Sequence, residues 1–279
     1  MNADRRTGLA PALRTEYRKT VTTRMWWVLL ICSAGYQAFL GAMMAFVLTL
    51  DPESMTTGMG GEPMPPLPPL ERVLTVYTLA PSLGYIFPLI IGALMMTGEF
   101  RHQTITPTLL AEPRRTLMLG AKLVAALPVG VLFGIAGTLG TVLGGAPVFA
   151  LMGESALLTD PEVMQTLARS VLALTVWTTV GVGLGSLVTN QVAVIVGLLG
   201  WTQLVEPMVR ILLGTQESLA GVTKFLPGAA GEAIAGSSFY ASTGLADLLS
   251  VGAGTAVLVG YAAIFAVLGR LTTLRRDIT

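Results

Sequence analysis

Side chains able to do chemistry are few, and most of them fall in one stretch. Gly98-Glu99-Phe100-Arg101-His102-Gln103-Thr104-Ile105-Thr106-Pro107-Thr108-Leu109-Leu110-Ala111-Glu112-Pro113-Arg114-Arg115 holds the only histidine, His102, together with two acids and three arginines. An imidazole beside carboxylates can move protons or bind a metal, but a metal needs several convergent donors. The chain has one histidine and one cysteine, Cys32, so no such cluster is expected and His102 reads as a polar loop residue. No nucleophile–base arrangement is evident. No Gly-x-x-x-x-Gly-Lys-Ser/Thr loop occurs, and the glycine patches at 134–145 and 181–185 lack the lysine that would follow in such a loop. Neither catalysis nor a bound cofactor is expected of this chain.

A second candidate is Glu206 with Arg210, four residues apart and so on one helix face, with Pro207 freeing a carbonyl between them. Such a pair can be a structural ion pair, a gate or substrate path, or part of a proton relay. For a relay the chain lacks a series of buried carboxylates or histidines, and the first two readings stay open.

The surroundings of these residues are strongly apolar. The 279 residues are 53% hydrophobic and 12% charged, with a mean hydropathy of +0.71. Uncharged runs of about 20 residues match a hydrocarbon layer about 30 Å thick. A charged side chain at a helix centre costs about 2.5–3.5 kcal/mol on insertion scales, so the charged stretch after residue 97 belongs outside the bilayer. The expected fold is an all-α polytopic membrane protein with six transmembrane helices, at 25–50, 72–97, 119–149, 168–188, 192–213 and 248–268, in one transmembrane domain over 1–279. Pro81 and Pro88 are expected to kink or shorten the second span.

Ahead of the spans, residues 1–24 carry six basic groups around Leu13, Tyr17 and Val21, which predicts an amphipathic helix lying along the headgroups. Thr104–Leu110 predicts a short helix, and Lys122 marks re-entry with its stem snorkelling to water. Residues 51–71 read as a Pro-rich outer loop, and 214–245 as short re-entrant or interfacial helices between spans five and six. Gly140 and Gly144 allow a close helix approach, within the chain or between subunits.

Thirteen of the seventeen Lys and Arg lie in 1–24, 98–122 and 270–279 (six, four and three). By the positive-inside rule both termini and the charged stretch are cytoplasmic. A net charge of +1 supplies no extended basic face for nucleic acid. The first apolar run begins near Met25 and is too long for an ordinary signal h-region, so the first helix is expected to stay in the mature chain.

Gly98-Glu99-Phe100-Arg101-His102-Gln103-Thr104-Ile105, then Leu109-Leu110, Pro113-x-Arg115 and Lys122, resemble the cytoplasmic loop of ABC-2 type permeases, the membrane subunits of ATP-binding cassette exporters. The basic start, the six spans and the broken segment before the last span extend the resemblance over nearly the whole chain. It implies a permease dimer, homodimeric or heterodimeric, in a bacterial plasma membrane. Two cytoplasmic ATPase subunits would carry ATP and Mg, and the cargo would be lipid, drug or peptide-like. It also implies that Glu99, Arg101, Gln103, Thr104, Leu109, Pro113 and Arg115 couple the loop to the ATPase, with Thr104–Leu110 as the coupling helix. The family usually has glycine where this chain has Gln103. Two rival classes are an ion-coupled carrier and a nontransporting membrane scaffold or sensor.

Overall fold

A computed structural model describes residues 8–50, 67–214, 221–238, 241 and 247–275. Helix α1 spans Leu9–Thr22 and α2 Met25–Thr49. Pro69–Tyr77 (α3), Leu79–Ser82 (α4), Ile86–Arg101 (α5) and Ile105–Ala111 (α6) follow. The chain continues as Arg115–Leu151 (α7), Pro161–Leu187 (α8), Gln191–Gly200 (α9), a π turn over Trp201–Val205, Glu206–Gly214 (α10), Pro227–Ala235 (α11) and Val251–Leu271 (α12). No strand occurs among the described residues.

Five helical stretches among them are long and apolar enough to cross a membrane: Met25–Thr49, Arg115–Leu151, Pro161–Leu187, Gln191–Leu213 and Val251–Leu271. The predicted outer loop falls almost wholly outside the described residues, as do Phe239, Tyr240 and Leu245 of the predicted segment before the last span.

The predicted second span, 72–97, is not one helix but three, α3, α4 and α5. The prolines act in two different ways. Pro81 has no N–H for the carbonyl of Tyr77, and α3 ends there, with the Thr78 N–H turned back to Leu74. Pro88 falls in the first turn of α5, where its missing N–H has no partner to lose. Between α4 and α5, Gly84 presses on the Gln37 side chain of α2 so closely that a Cβ would collide with it. Gln37 Nε2 in turn donates to the Ala80 carbonyl at 3.4 Å.

Elsewhere the predicted helices are present with their ends shifted by at most seven residues, the fifth interrupted by the π turn. Helix α8 starts at Pro161, ahead of the predicted 168, capped by Asp160 Oδ1 on the N–H groups of Glu162 (2.8 Å) and Val163 (3.4 Å). Asn190 caps α9 the same way, making a tight turn between α8 and α9. The π turn stands directly before Pro207, where the regular ladder loses a donor.

Helix α8 is the hub, packed against α5, α7, α11 and α12, while α2 lies along α7. Gly140 and Gly144 sit at that α2–α7 contact, against the backbone of Ala34 and Ala38, so their close approach is within the chain.

Candidate functional site

Two ion clusters are buried in the bundle. The first joins α1, α5 and α7 and is centred on Lys122, whose side chain is wholly buried. Lys122 Nζ donates to Glu16 Oε2 at 2.6 Å, Glu99 Oε1 at 2.5 Å and the Met95 carbonyl at 3.2 Å. Lys19 Nζ donates to Glu16 Oε1 (2.9 Å), Glu99 Oε1 (2.6 Å) and Thr108 Oγ1 (3.0 Å). Burial pulls the Lys19 ammonium down, but the charges of Glu16 and Glu99 outweigh that and hold it above its ordinary 10.5. The snorkelling expected of Lys122 is therefore incorrect. Its stem points into the bundle because two carboxylates supply there what water would have supplied outside.

The same cluster accounts for Glu99, which sits in the last turn of α5 and is buried. Arg101 and Gln103 are exposed. Gln103 has φ 54°, the left-handed region where a side chain costs about 1–2 kcal/mol and glycine is free. Thr104 closes the turn, donating its N–H to the Glu99 carbonyl at 2.9 Å.

Helix α6 then runs from Ile105 to Ala111, one residue off the predicted Thr104–Leu110. Its Ile105 and Leu109 pack on Met96, Met118 and Leu119, whereas Thr106, Pro107 and Leu110 are exposed, Leu110 by 80%. Glu112 accepts from Arg114 Nε at 2.9 Å, and that hydrogen bond holds its carboxyl below the usual range. Past Pro113, Arg115 opens α7 and donates to the Leu274 carbonyl just beyond α12.

The second cluster contains the predicted Glu206–Arg210 pair and adds a partner that helical spacing did not suggest. Arg210 Nη2 reaches Glu206 Oε1 at 3.0 Å, and Nη1 reaches Glu232 of α11 at 2.9 and 3.0 Å. Glu206 Oε1 also accepts from the Gly228 N–H (2.6 Å), its Oε2 accepts from the Tyr85 hydroxyl (3.3 Å), and Glu232 Oε2 accepts from Ser238 Oγ (2.5 Å). Tyr85 lies in the break before α5 and stacks on Trp177 of α8, ring centroids 4.3 Å apart. One arginine thereby ties α10 to α11, and Tyr85 extends the tie to α5. Tyr85 and Glu99 are fourteen residues apart along α5, so the clusters are separated by about 21 Å of helix rise.

Trp177, Trp201 and Phe265 share a mostly apolar cavity of about 480 Å³ between α8, α9 and α12, while Phe133 is buried in the core. Sequence reasoning missed Glu16 and Glu232. Each had a signal: Lys122 among apolar residues calls for a counter-charge, and Glu232 is the lone acid in Gly228-Ala229-Ala230-Gly231-Glu232-Ala233-Ile234-Ala235. Among the described residues no group of three or more His, Cys, Asp and Glu is placed to hold a metal.

The all-helical fold among the described residues, with five helical stretches long and apolar enough to cross a membrane, is that of a polytopic helical membrane protein. No protein-family model matches the chain, and no curated protein matches it.

Proposed function

We propose that the chain is the membrane-spanning subunit of an ATP-driven exporter of the ABC-2 permease type. In this reading α3, α4 and α5 together make a sixth crossing, α1 lies along the inner headgroups, and α11 is re-entrant. Both termini and α6 face the cytoplasm of a bacterial cell. A dimer of permease subunits, identical or not, moves a hydrophobic or amphipathic cargo such as a lipid, drug or peptide-like molecule outward. ATP and Mg are bound and spent on two separate ATPase subunits.

The observation that carries this reading is α6 itself. It is a short amphipathic helix with an exposed outer edge at Thr106, Pro107 and Leu110, set between two long helices and tied to α1 by the Lys19–Thr108 contact. A partner gripping that edge would displace α6, and the Glu16–Lys19–Glu99–Lys122 cluster would pass the displacement to α1, α5 and α7 at once. The residues assigned to coupling then divide by task. Arg101 and Leu110 are exposed for contact, whereas Glu99, Thr104 and Leu109 hold the helix in place.

Co-purification with the candidate ATPase tests it. Leu110→Glu should weaken the association roughly tenfold, as loss of an exposed apolar anchor does, with an unchanged thermal midpoint. Association and ATPase stimulation equal to wild type would remove α6 from the coupling role.

A further inference from the structure

The cavity of about 480 Å³ between α8, α9 and α12 is lined both by Trp177, 2% exposed, and by Trp201, 42% exposed, so it reaches from the core to the outer surface of the bundle. Aromatic residues are 7% of the chain but four of the fifteen that line this space. Besides the two tryptophans these are Tyr261 and Phe265 of α12, whose rings lie 6.1 Å apart. Stacking on Tyr85 at 4.3 Å fixes the Trp177 ring, so that part of the wall is preformed.

The lining offers no polar partner. Among the described residues no Asp, Glu, Lys, Arg or His belongs to it, and both of its hydroxyls are spent. Thr202 Oγ1 donates to the Leu198 carbonyl at 2.8 Å and the Tyr261 hydroxyl to the Phe225 carbonyl at 3.2 Å. The Trp177 ring N–H lies against Gly231 of α11, where a Cβ would collide with it. A charged or hydrogen-bonding group in this space would stay unpaired, which is costly.

Helix α9 leaves room in front of it. Ala193, Gly197 and Trp201 recur every four residues along the wall, which places Gly197 in the middle of the lining face. A Cβ at Gly197 would meet no atom within 4 Å. An apolar cavity of roughly 150 Å³ takes one benzene, so the volume here suits about three fused rings. An acyl chain could fill the same volume, but a flat ring system adds edge and offset contacts with the four aromatic side chains, each about two- to tenfold in affinity.

We propose that this cavity is a binding site for an uncharged polycyclic aromatic molecule, which enters from the bilayer beside Trp201. The site needs neither nucleotide nor a second subunit, because every wall comes from this chain.

The test is the binding of radiolabelled phenanthrene to the full chain in nanodiscs, with binding to empty nanodiscs subtracted. Saturable binding is expected. Perhydrophenanthrene keeps the carbon skeleton without the π-electrons and should compete about tenfold less well, and the N-methylphenanthridinium cation no better than that. Gly197→Leu fills the space without a collision and removes a glycine from a helix, so it should abolish saturable binding with a thermal midpoint at or above that of the unmodified chain. Trp201→Leu keeps an apolar wall but removes one ring. It should weaken phenanthrene several-fold and leave perhydrophenanthrene unchanged.

Absence of saturable binding by the unmodified chain would mean that bilayer lipid fills the cavity, and overturns the proposal. So do equal competition by perhydrophenanthrene, tighter binding of the cation, binding that survives in Gly197→Leu, or an equal loss of both hydrocarbons in Trp201→Leu. Binding is read on the chain alone, so failed ATPase association would remove the exporter reading and leave this result standing.

Discussion

The two buried clusters differ in balance and in closure. The lysine cluster sets two carboxylates against two ammoniums and leaves Glu99 Oε2 unused, while the arginine cluster sets two carboxylates against one guanidinium and uses all four carboxylate oxygens. The excess negative charge of the arginine cluster is met by neutral donors, Gly228 N–H, Tyr85 hydroxyl and Ser238 hydroxyl, each from a segment near a helix break or end. Such a site holds irregular backbone in place, which at membrane depth must be satisfied by protein. The lysine cluster instead joins α1 and α7 to the last turn of α5, and leaves one buried carboxylate oxygen unpaired. One cluster is a lock on the fold, and the other is a joint beside the exposed edge of α6.

If that contrast is right, the largest effect comes from Arg210→Met, which strands two buried carboxylates. A loss of about 4 kcal/mol in unfolding free energy, read by denaturant titration in mixed micelles, is expected. A loss under about 1 kcal/mol would mean the arginine cluster is not a lock. Glu16→Gln keeps the shape and one acceptor, so about 2 kcal/mol is expected, with α1 amides losing hydrogen-exchange protection before those of α8. Simultaneous loss in both helices would erase the distinction between joint and lock.

The pH dependence separates the clusters further. Lys19 is raised above 10.5, so its contribution is complete below that value and is lost as pH rises through the folded-state pKa. Release of α1 in strong alkali ahead of global unfolding is the outcome expected from exchange or limited proteolysis. The smallest change is Gln103→Gly, which relieves a left-handed φ of 54° and should stabilise the turn into α6 by about 1 kcal/mol without altering either cluster. A destabilising Gln103→Gly would show that its side chain makes a contact worth more than the strain.

Much of this was legible in the residues. Long uncharged runs showed where spanning helices lie, because a run of that length has no cheaper environment than hydrocarbon. Helical spacing put Glu206 beside Arg210, and the expected short helix Thr104–Leu110 stands one residue along as α6. Two departures depend on partners distant in the chain. The second apolar run breaks because Pro81 and the contact between Gly84 and Gln37 act together, and the second of these involves a residue more than forty positions away. Lys122 turned inward because Glu16, in a segment that reads as a basic surface helix, reaches it at 2.6 Å.

By itself the sequence determined the class of molecule and the approximate helices, both properties of transfer free energy summed along a contiguous run. Only the tertiary structure decided which charges meet. Glu16 finds Lys122 and Arg210 finds Glu232 across 106 and 22 positions of chain, and a buried ion is stable only through partners that the fold carries to it.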